Sequence, residues 1–247
     1  LNTMGEPGHT PPGGRPGQGD HTTALAILSS ILIALRERDL TGAGQDISIA
    51  LLHAAIWTMG SDLSVGLVTG EVPQPIMRLE TPSPLVGRFR CADERWIMLT
   101  MPAENYWEGF CRALGKSEWL SDSRFADPIE RANWGPELMI MCDKVFASAA
   151  SHIWAKKLDA EGMVWSLIQS LDEVIDDPQV AALGAFVEVP DSMSSHRTIG
   201  PPFDLRGSDV SVKGPAPVHG QHTHEILSEV GLEPQEIQDL FADEIVF

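Results

Sequence analysis

Basic residues are scarce in this chain: 17 Lys and Arg stand against 35 Asp and Glu, a formal net charge of −18. That balance excludes a general nucleic-acid binder, which needs clustered cations to displace phosphate counterions. It also leaves few cations for any polyanionic ligand. Cysteine is nearly absent. Cys91, Cys111 and Cys142 are an odd number without metal-ligand spacing, and with no secretory leader in view they read as reduced thiols of a cytoplasmic protein. Cys111 and Cys142 fall beside apolar neighbours in helical patterns and are expected to be buried. Long apolar runs are missing too. The best, residues 24–35, is interrupted by Ser29 and Ser30 and falls short of the roughly 20 residues a bilayer span needs, so no membrane anchor is expected.

Several chemical signatures are also lacking. No Gly-x-Ser-x-Gly appears, which removes support for an α/β-hydrolase. The glycines of residues 5–19 follow no strand–GxGxxG–helix order, so nucleotide binding of that kind is unsupported. His9, His53, His196, His219, His222 and His224 have no companions at zinc-helix spacing, and no metal is expected. The tryptophans are spread along the chain and form no stacking platform.

What is present reads as an α/β chain. Residues 1–19 are Gly- and Pro-rich and predict a loop. A chain that opens on Leu1 inside such a loop reads as part of a longer one. Residues 20–38 predict a helix apolar on nearly every face, hence fully buried, stopped by Gly42. Residues 46–49 predict a short strand and 51–59 a second buried helix, an alternation typical of an α/β layer. Residues 60–86 turn irregular and read as a linker. A hairpin follows, 86–91 and 95–101 around Ala92-Asp93-Glu94. Helices are expected at 104–114, 136–147 and 151–161, the last capped by Ser151. Beyond them come a strand-like 162–166, helices opening at Ser170 and Pro178, strands at 185–189 and 197–199, and final helices at 222–230 and 233–241.

The stretch Gly19-Asp20-His21-Thr22-Thr23 holds the chemistry. A carboxylate at the head of a helix is either an N-cap or a nucleophile held where the helix dipole stabilises negative charge. Adjacent side chains on a helix diverge, so His21 reads as packing or pocket-lining and not as the other half of a dyad.

The order of residues here resembles the class III CoA-transferases, a family that takes in formyl-CoA, carnitine and bile-acid CoA-transferases and the related α-methylacyl-CoA racemases. Gly19-Asp20 precedes an apolar helix ending in Ala-Leu-x-x-Arg, then Thr41-Gly42-Ala43-Gly44-Gln45. Further on, Cys91-Ala92-Asp93-Glu94-Arg95-Trp96 is similar to the family's Cys-x-Asp-Gly-x-Trp hairpin. Trp107-Glu108-Gly109-Phe110-Cys111-Arg112-Ala113-Leu114-Gly115 is similar to its Trp-x-x-Phe-Cys-x-Ala-Leu-Gly helix. The run Asp177-Pro178-Gln179 and the tail Pro215-Ala216-Pro217-Val218-His219-Gly220-Gln221-His222-Thr223 match in the same order.

The resemblance implies the following. Asp20 is the catalytic aspartate, with Gly19 and His21 lining the CoA pocket beside it. Coenzyme A thioester is a substrate and no cofactor is tightly bound; the partners are acyl-CoA, a carboxylic acid and a second copy in an interlocked homodimer. The fold is part of a Rossmann-like large domain (1–60), a linker (61–86), a small α+β domain (87–200) and a return to the large domain (201–247). An N-terminal half that supplies most of the CoA pocket is missing. Two departures bear on substrate. Residues 78–85 carry no glycine run where the formyl-CoA branch has a glycine-rich lid. The histidine that racemases place upstream of the aspartate has no counterpart, and Asp20 is followed by His-Thr-Thr and not by glycines, which favours transfer. The alternatives are a 2-methylacyl-CoA racemase and an inactive piece with only a structural role.

Overall fold

The computed structural model describes residues 5–190 and 196–247; residues 1–4 of the expected N-terminal loop lie outside them. Helices and antiparallel strands mix along the chain, which divides by contacts into two units, Leu1–Ile168 and Gln169–Phe247.

The first unit begins with a loop and then three helices: α1 (Gln18–Thr41), α2 (Leu51–Thr58) and α3 (Gly60–Thr69). Three expectations fail here. α1 is not buried: Leu32 is 57% and Ile33 68% exposed, and Thr23 is its one buried residue. A helix apolar all round needs cover on every side, and within the chain α1 packs chiefly against α2. α2 is likewise exposed apart from Ala54. Residues 46–49 form no strand. A segment becomes a strand only when a neighbour completes its hydrogen bonds, and every strand pair among the described residues is antiparallel and lies elsewhere. The expected linker is also more ordered than its composition suggests, since α3 occupies its first part.

The core of this unit sits in its second half. Strands β1 (Arg88–Arg90), β2 (Trp96–Leu99) and, later in the chain, β3 (Trp165–Leu167) form a three-stranded sheet in that order. Register pairs Phe89 with Ile97 and Ile97 with Leu167. The period of two therefore turns Phe89, Ile97 and Leu99 inward and Arg88, Arg90, Trp96 and Met98 outward. Four helices cover the inner face and its margins: α4 (Trp107–Leu114), α5 (Pro128–Asn133), α6 (Gly135–Phe146) and α7 (Ser151–Ala160). Phe89 stacks on Phe146 with centroids 4.6 Å apart, and Phe146 meets Trp154 at 5.1 Å. The Trp154 indole donates to the Phe146 carbonyl at 2.8 Å. Each such buried aromatic stabilises the fold by roughly 1.5–3 kcal/mol.

A second aromatic group, Trp107, Trp119 and Phe125, closes around Arg131. Its guanidinium lies 4.4 Å over Trp107, donates to the Phe125 carbonyl at 2.9 Å and pairs with Glu104. A charge this deep is tolerable because all three contacts compensate its lost hydration.

The hairpin turn has a second task. Asp93 Oδ2 accepts from the backbone N–H of Ser151 at 3.0 Å and from its hydroxyl at 2.7 Å. The cap of α7 is thus supplied from across the fold. Ser151, expected to cap the helix itself, is instead its first residue, after Ala150. Glu94 follows in a left-handed conformation, φ 65°, as a three-residue loop with a type I turn requires; the resembling motif has glycine there.

The second unit holds α8 (Leu171–Ile175), α9 (Pro178–Ala182), the hairpin β4 (Phe186–Glu188) with β5 (Arg197–Ile199), then α10 (Thr223–Glu229) and α11 (Pro234–Ala242). Local caps define it: Ser170 and Glu173 form a capping box, and Asp177 accepts from Gln179 and Val180. Val189 and Ile237 are its buried hydrophobics among the described residues.

Two outcomes are expected. Glu94→Gly relieves a left-handed non-glycine residue at the cost of an exposed Arg90–Glu94 pair at 3.1 Å, and should raise the stability measured by urea titration by about 0.5–1 kcal/mol. The Ser151 hydroxyl and N–H hold the Asp93 carboxyl below the usual carboxylate range. A depressed carboxylate stabilises above its unfolded pKa and loses that effect as pH falls. The difference in thermal midpoint between the parent and Asp93→Asn should therefore shrink as pH drops from about 6 to about 3.

Candidate active site

α1 starts two residues earlier than its pattern predicts. Gly17 occupies the cap position with φ 76°, and no side chain caps the helix. Asp20 is therefore not the N-cap; it is the third residue of the first turn. Its side chain is exposed and makes no hydrogen bond or ion pair among the described residues. The Gln18 N–H donates to the Arg15 carbonyl at 3.2 Å and that of His21 to Gly17 at 2.8 Å. The N–H groups of Gly19 and Asp20 between them have no acceptor among the described residues, as the first turn of a helix dictates. A free carboxylate thus stands beside two free donors at the positive end of a helix dipole.

The three residues expected at the site stay together at this end. Gly19 leaves open space: a Cβ there would meet nothing within 4 Å. Its carbonyl accepts from the Thr23 hydroxyl at 2.8 Å, which ties the turn from below. The His21 ring folds back over Gly17; a Cβ on Gly17 would lie 3.2 Å from His21 Cε1. Side chains on a helix lean toward its N-terminus, so the exposed His21 ring leans over the helix start.

A groove of about 780 Å³ runs along another side of α1, lined by Thr22, Leu25, Ala26, Ser29, His53 and Trp57 among others. Its hydroxyls are turned inward on their own helix: Thr22 donates to Gln18, Ser29 to Leu25 and Ser30 to Ile27. These three ask nothing of a ligand, while Ser48, His53 and Ser64 also line the groove. Asp20 and Thr22 are separated by roughly 200° around the helix axis, so the carboxylate does not face this groove.

The three cysteines are poor competitors for the role of nucleophile. Burial lifts the Cys91 thiol to about 11 and that of Cys111 to about 12, and raises Cys142 well above its ordinary value. Thiols held protonated are poor nucleophiles. Among the described residues no three His, Cys, Asp or Glu side chains converge as a metal site. Nor is any single helix there long and apolar enough to cross a membrane.

Sequence patterns missed two long-range contacts in the first unit. Asp93 reads locally as a turn residue, and its helix partner lies 58 residues away. Glu6 and Arg78, 72 residues apart, are joined by a hydrogen bond that no local pattern announces.

Comparison with known proteins agrees with the residue pattern. The sequence model of CoA-transferase family III matches residues 1–223, and the chain belongs to that family. It is 28% identical to the (R)-2-hydroxy-4-methylpentanoate CoA-transferase of Clostridioides difficile, over 98% of this chain and 60% of that protein. With the formyl-CoA:oxalate CoA-transferase of Shigella sonnei it shares 24% identity over 89% of this chain and 58% of the other. Among solved structures, the crystal structure of Rv3272 from M. tuberculosis superposes with a TM-score of 0.75 at 25% identity, covering 90% of this chain and 59% of that one. The chain thus spans about three-fifths of the length of these relatives.

The thiols provide a direct check on the site. In the native chain at pH 8 none of the three should react with Ellman's reagent on the timescale of minutes, and all three should react at once in guanidinium chloride. A rapidly titrating native thiol would contradict their burial.

Proposed function

We propose that the whole protein transfers coenzyme A from an acyl-CoA to a carboxylic acid, with Asp20 as the covalent relay. The observation that carries this reading is the unpaired Asp20 carboxylate in the first turn of α1, next to the free N–H groups of Gly19 and Asp20. The reaction follows from carboxylate chemistry. A carboxylate oxygen of Asp20 attacks the thioester carbonyl, the C–S bond breaks, and CoA leaves as thiolate with an acyl-aspartyl anhydride behind. The thiolate then attacks the aspartyl carbonyl, releasing the first acid and leaving CoA in thioester linkage to Asp20.

An incoming carboxylate repeats the two steps in reverse order of bonds. It attacks the aspartyl thioester, expels thiolate and forms a second anhydride. Attack of thiolate on its acyl carbonyl frees the new acyl-CoA and restores Asp20. No proton is gained or lost over the cycle. Each tetrahedral intermediate carries an oxyanion, which the two free N–H groups and the helix dipole are suited to stabilise. Water must be kept from the anhydride. Gly19 gives the thioester room to approach, and His21 packs beside it over the helix start.

The exposed apolar surface of α1 supports a further part of the reading. Leu25, Leu32 and Ile33 are 50–68% exposed, and a face this apolar is characteristic of a protein interface. In the whole protein we place it inside the family's large-domain layer and interlocked homodimer, in the cytoplasm. The relatives' names cover hydroxy acids as well as formate and oxalate, so the acid pair is assigned only as a class: small carboxylic acids and their CoA thioesters.

In the whole protein, Asp20→Ala should reduce CoA exchange between acyl-CoA and free acid by at least roughly three orders of magnitude. Incubation of the parent with acyl-CoA followed by hydroxylamine should leave a hydroxamate on Asp20, located by peptide mass spectrometry. Exchange that survives in Asp20→Ala would sink the assignment.

A further inference from the structure

The two N–H groups left free beside Asp20 belong to consecutive peptide units, Gln18–Gly19 and Gly19–Asp20. The carbonyls of those same units each receive a side-chain hydroxyl from the next turn. Thr22 Oγ1 donates to the Gln18 carbonyl at 3.0 Å, and Thr23 Oγ1 donates to the Gly19 carbonyl at 2.8 Å. Helix geometry already gives each carbonyl the backbone N–H four residues on. Each carbonyl therefore accepts twice, while the N–H across its own C–N bond has no acceptor among the described residues.

A peptide unit is conjugated, so a hydrogen bond accepted at its oxygen draws electron density from nitrogen and makes the N–H a stronger donor. Farther along α1 the same kind of bond has nothing to pass on. Ser29 donates to the Leu25 carbonyl, but the N–H of that peptide unit, on Ala26, is already consumed by the Thr22 carbonyl within the helix. Only in the first turn is a polarised peptide left with its donor open.

Both hydroxyls are also shielded. Thr23 is 7% exposed, the one buried residue of α1, and Thr22 is half-buried. Burial keeps the Thr23 hydroxyl from trading its carbonyl for water. β-Branching limits each threonine to few rotamers in a helix, favouring those that reach a carbonyl of the preceding turn.

We infer that Thr22 and Thr23 are positioning residues: they fix and polarise the two peptide units whose N–H groups receive the oxyanion. The inference rests on the reading of Asp20 as nucleophile. A helix gains nothing from such threonines by itself, since bonding back to the preceding turn slightly destabilises it. Donors aimed at a developing oxyanion do gain, because their strength counts most in the transition state.

Thr22→Val and Thr23→Val keep the side-chain shape and remove the hydroxyl. In the whole protein each should lower kcat for CoA exchange about threefold, with KM for acyl-CoA nearly unchanged. The double variant should be slower than either. Thr22→Ser and Thr23→Ser return the hydroxyl and should recover most of the rate. An unchanged kcat in both valine variants, or serine variants as slow as the valine ones, would overturn the inference.

A second measurement needs no turnover. In the whole protein without substrate, NMR should find the Gly19 amide proton moved upfield in Thr22→Val and that of Asp20 moved upfield in Thr23→Val, each returning in the serine variant. Amide protons that stay in place would overturn the inference even where Asp20 is the nucleophile. The upfield pattern in a protein whose CoA exchange survives Asp20→Ala would uphold the polarised pair and reject only the nucleophile.

Discussion

Strands of three or four residues offer too few ladder hydrogen bonds to hold a sheet by themselves, and here the packing of one face supplies the rest. Phe89, Ile97 and Leu99 are fully buried beneath α6 and α7, with Phe89 stacked on Phe146 and Phe146 against Trp154. The polar links in the second half of the first unit refer to that layer. Asp93 uses the hairpin turn to cap α7, Arg131 braces the aromatic group beside α4, and Arg78 fastens the preceding segment to α6 and β1. These polar links succeed because the apolar core has already fixed the elements they join; a hydrogen bond between mobile partners would first have to order them.

The helical part that carries Asp20 follows a different physical logic. α1, α2 and α3 bury almost nothing among themselves, and their apolar side chains stand exposed. Hydroxyls along α1 are satisfied by its own carbonyls, which lowers the cost of covering its middle turns, residues 22–35, where no charged side chain occurs. What the helix offers chemically is confined to its first turn: an unpaired carboxylate, two unbonded N–H groups and a glycine that leaves room for a substrate. Membership in CoA-transferase family III gives the proposal of Asp20 as covalent relay its chemical ground, because a carboxylate is a group that can both accept an acyl unit and hold CoA as a thioester.

Local pattern made much of this legible. The hairpin around Ala92-Asp93-Glu94, the helix expected over 104–114 and found at Trp107–Leu114, the helix starts at Ser170 and Pro178 and the buried Cys111 and Cys142 all depend on spacing within a few residues, and the structure has them close to where spacing puts them. Residues 46–49 and the burial of α1 were misread for a common reason. A strand needs a neighbouring strand and an apolar helix needs cover, and neither requirement can be met from within the segment. Ser151 was misread as a cap because local reasoning has no access to a carboxylate 58 residues away.

The sequence by itself determined the family, which rests on short ordered motifs, and singled out Asp20 as the candidate reactive residue, since the chemistry of Gly19-Asp20 is carried by residue type. Tertiary structure decided what surrounds that residue. Only folding could place Asp20 in the first turn after a left-handed Gly17, leave its carboxylate unpaired, turn Asp93 into the cap of a distant helix, and bring Glu6, Arg78 and Asp143 into one chain of contacts. Those outcomes depend on distances between residues remote in sequence, which are set by how apolar surfaces pack and by no local pattern.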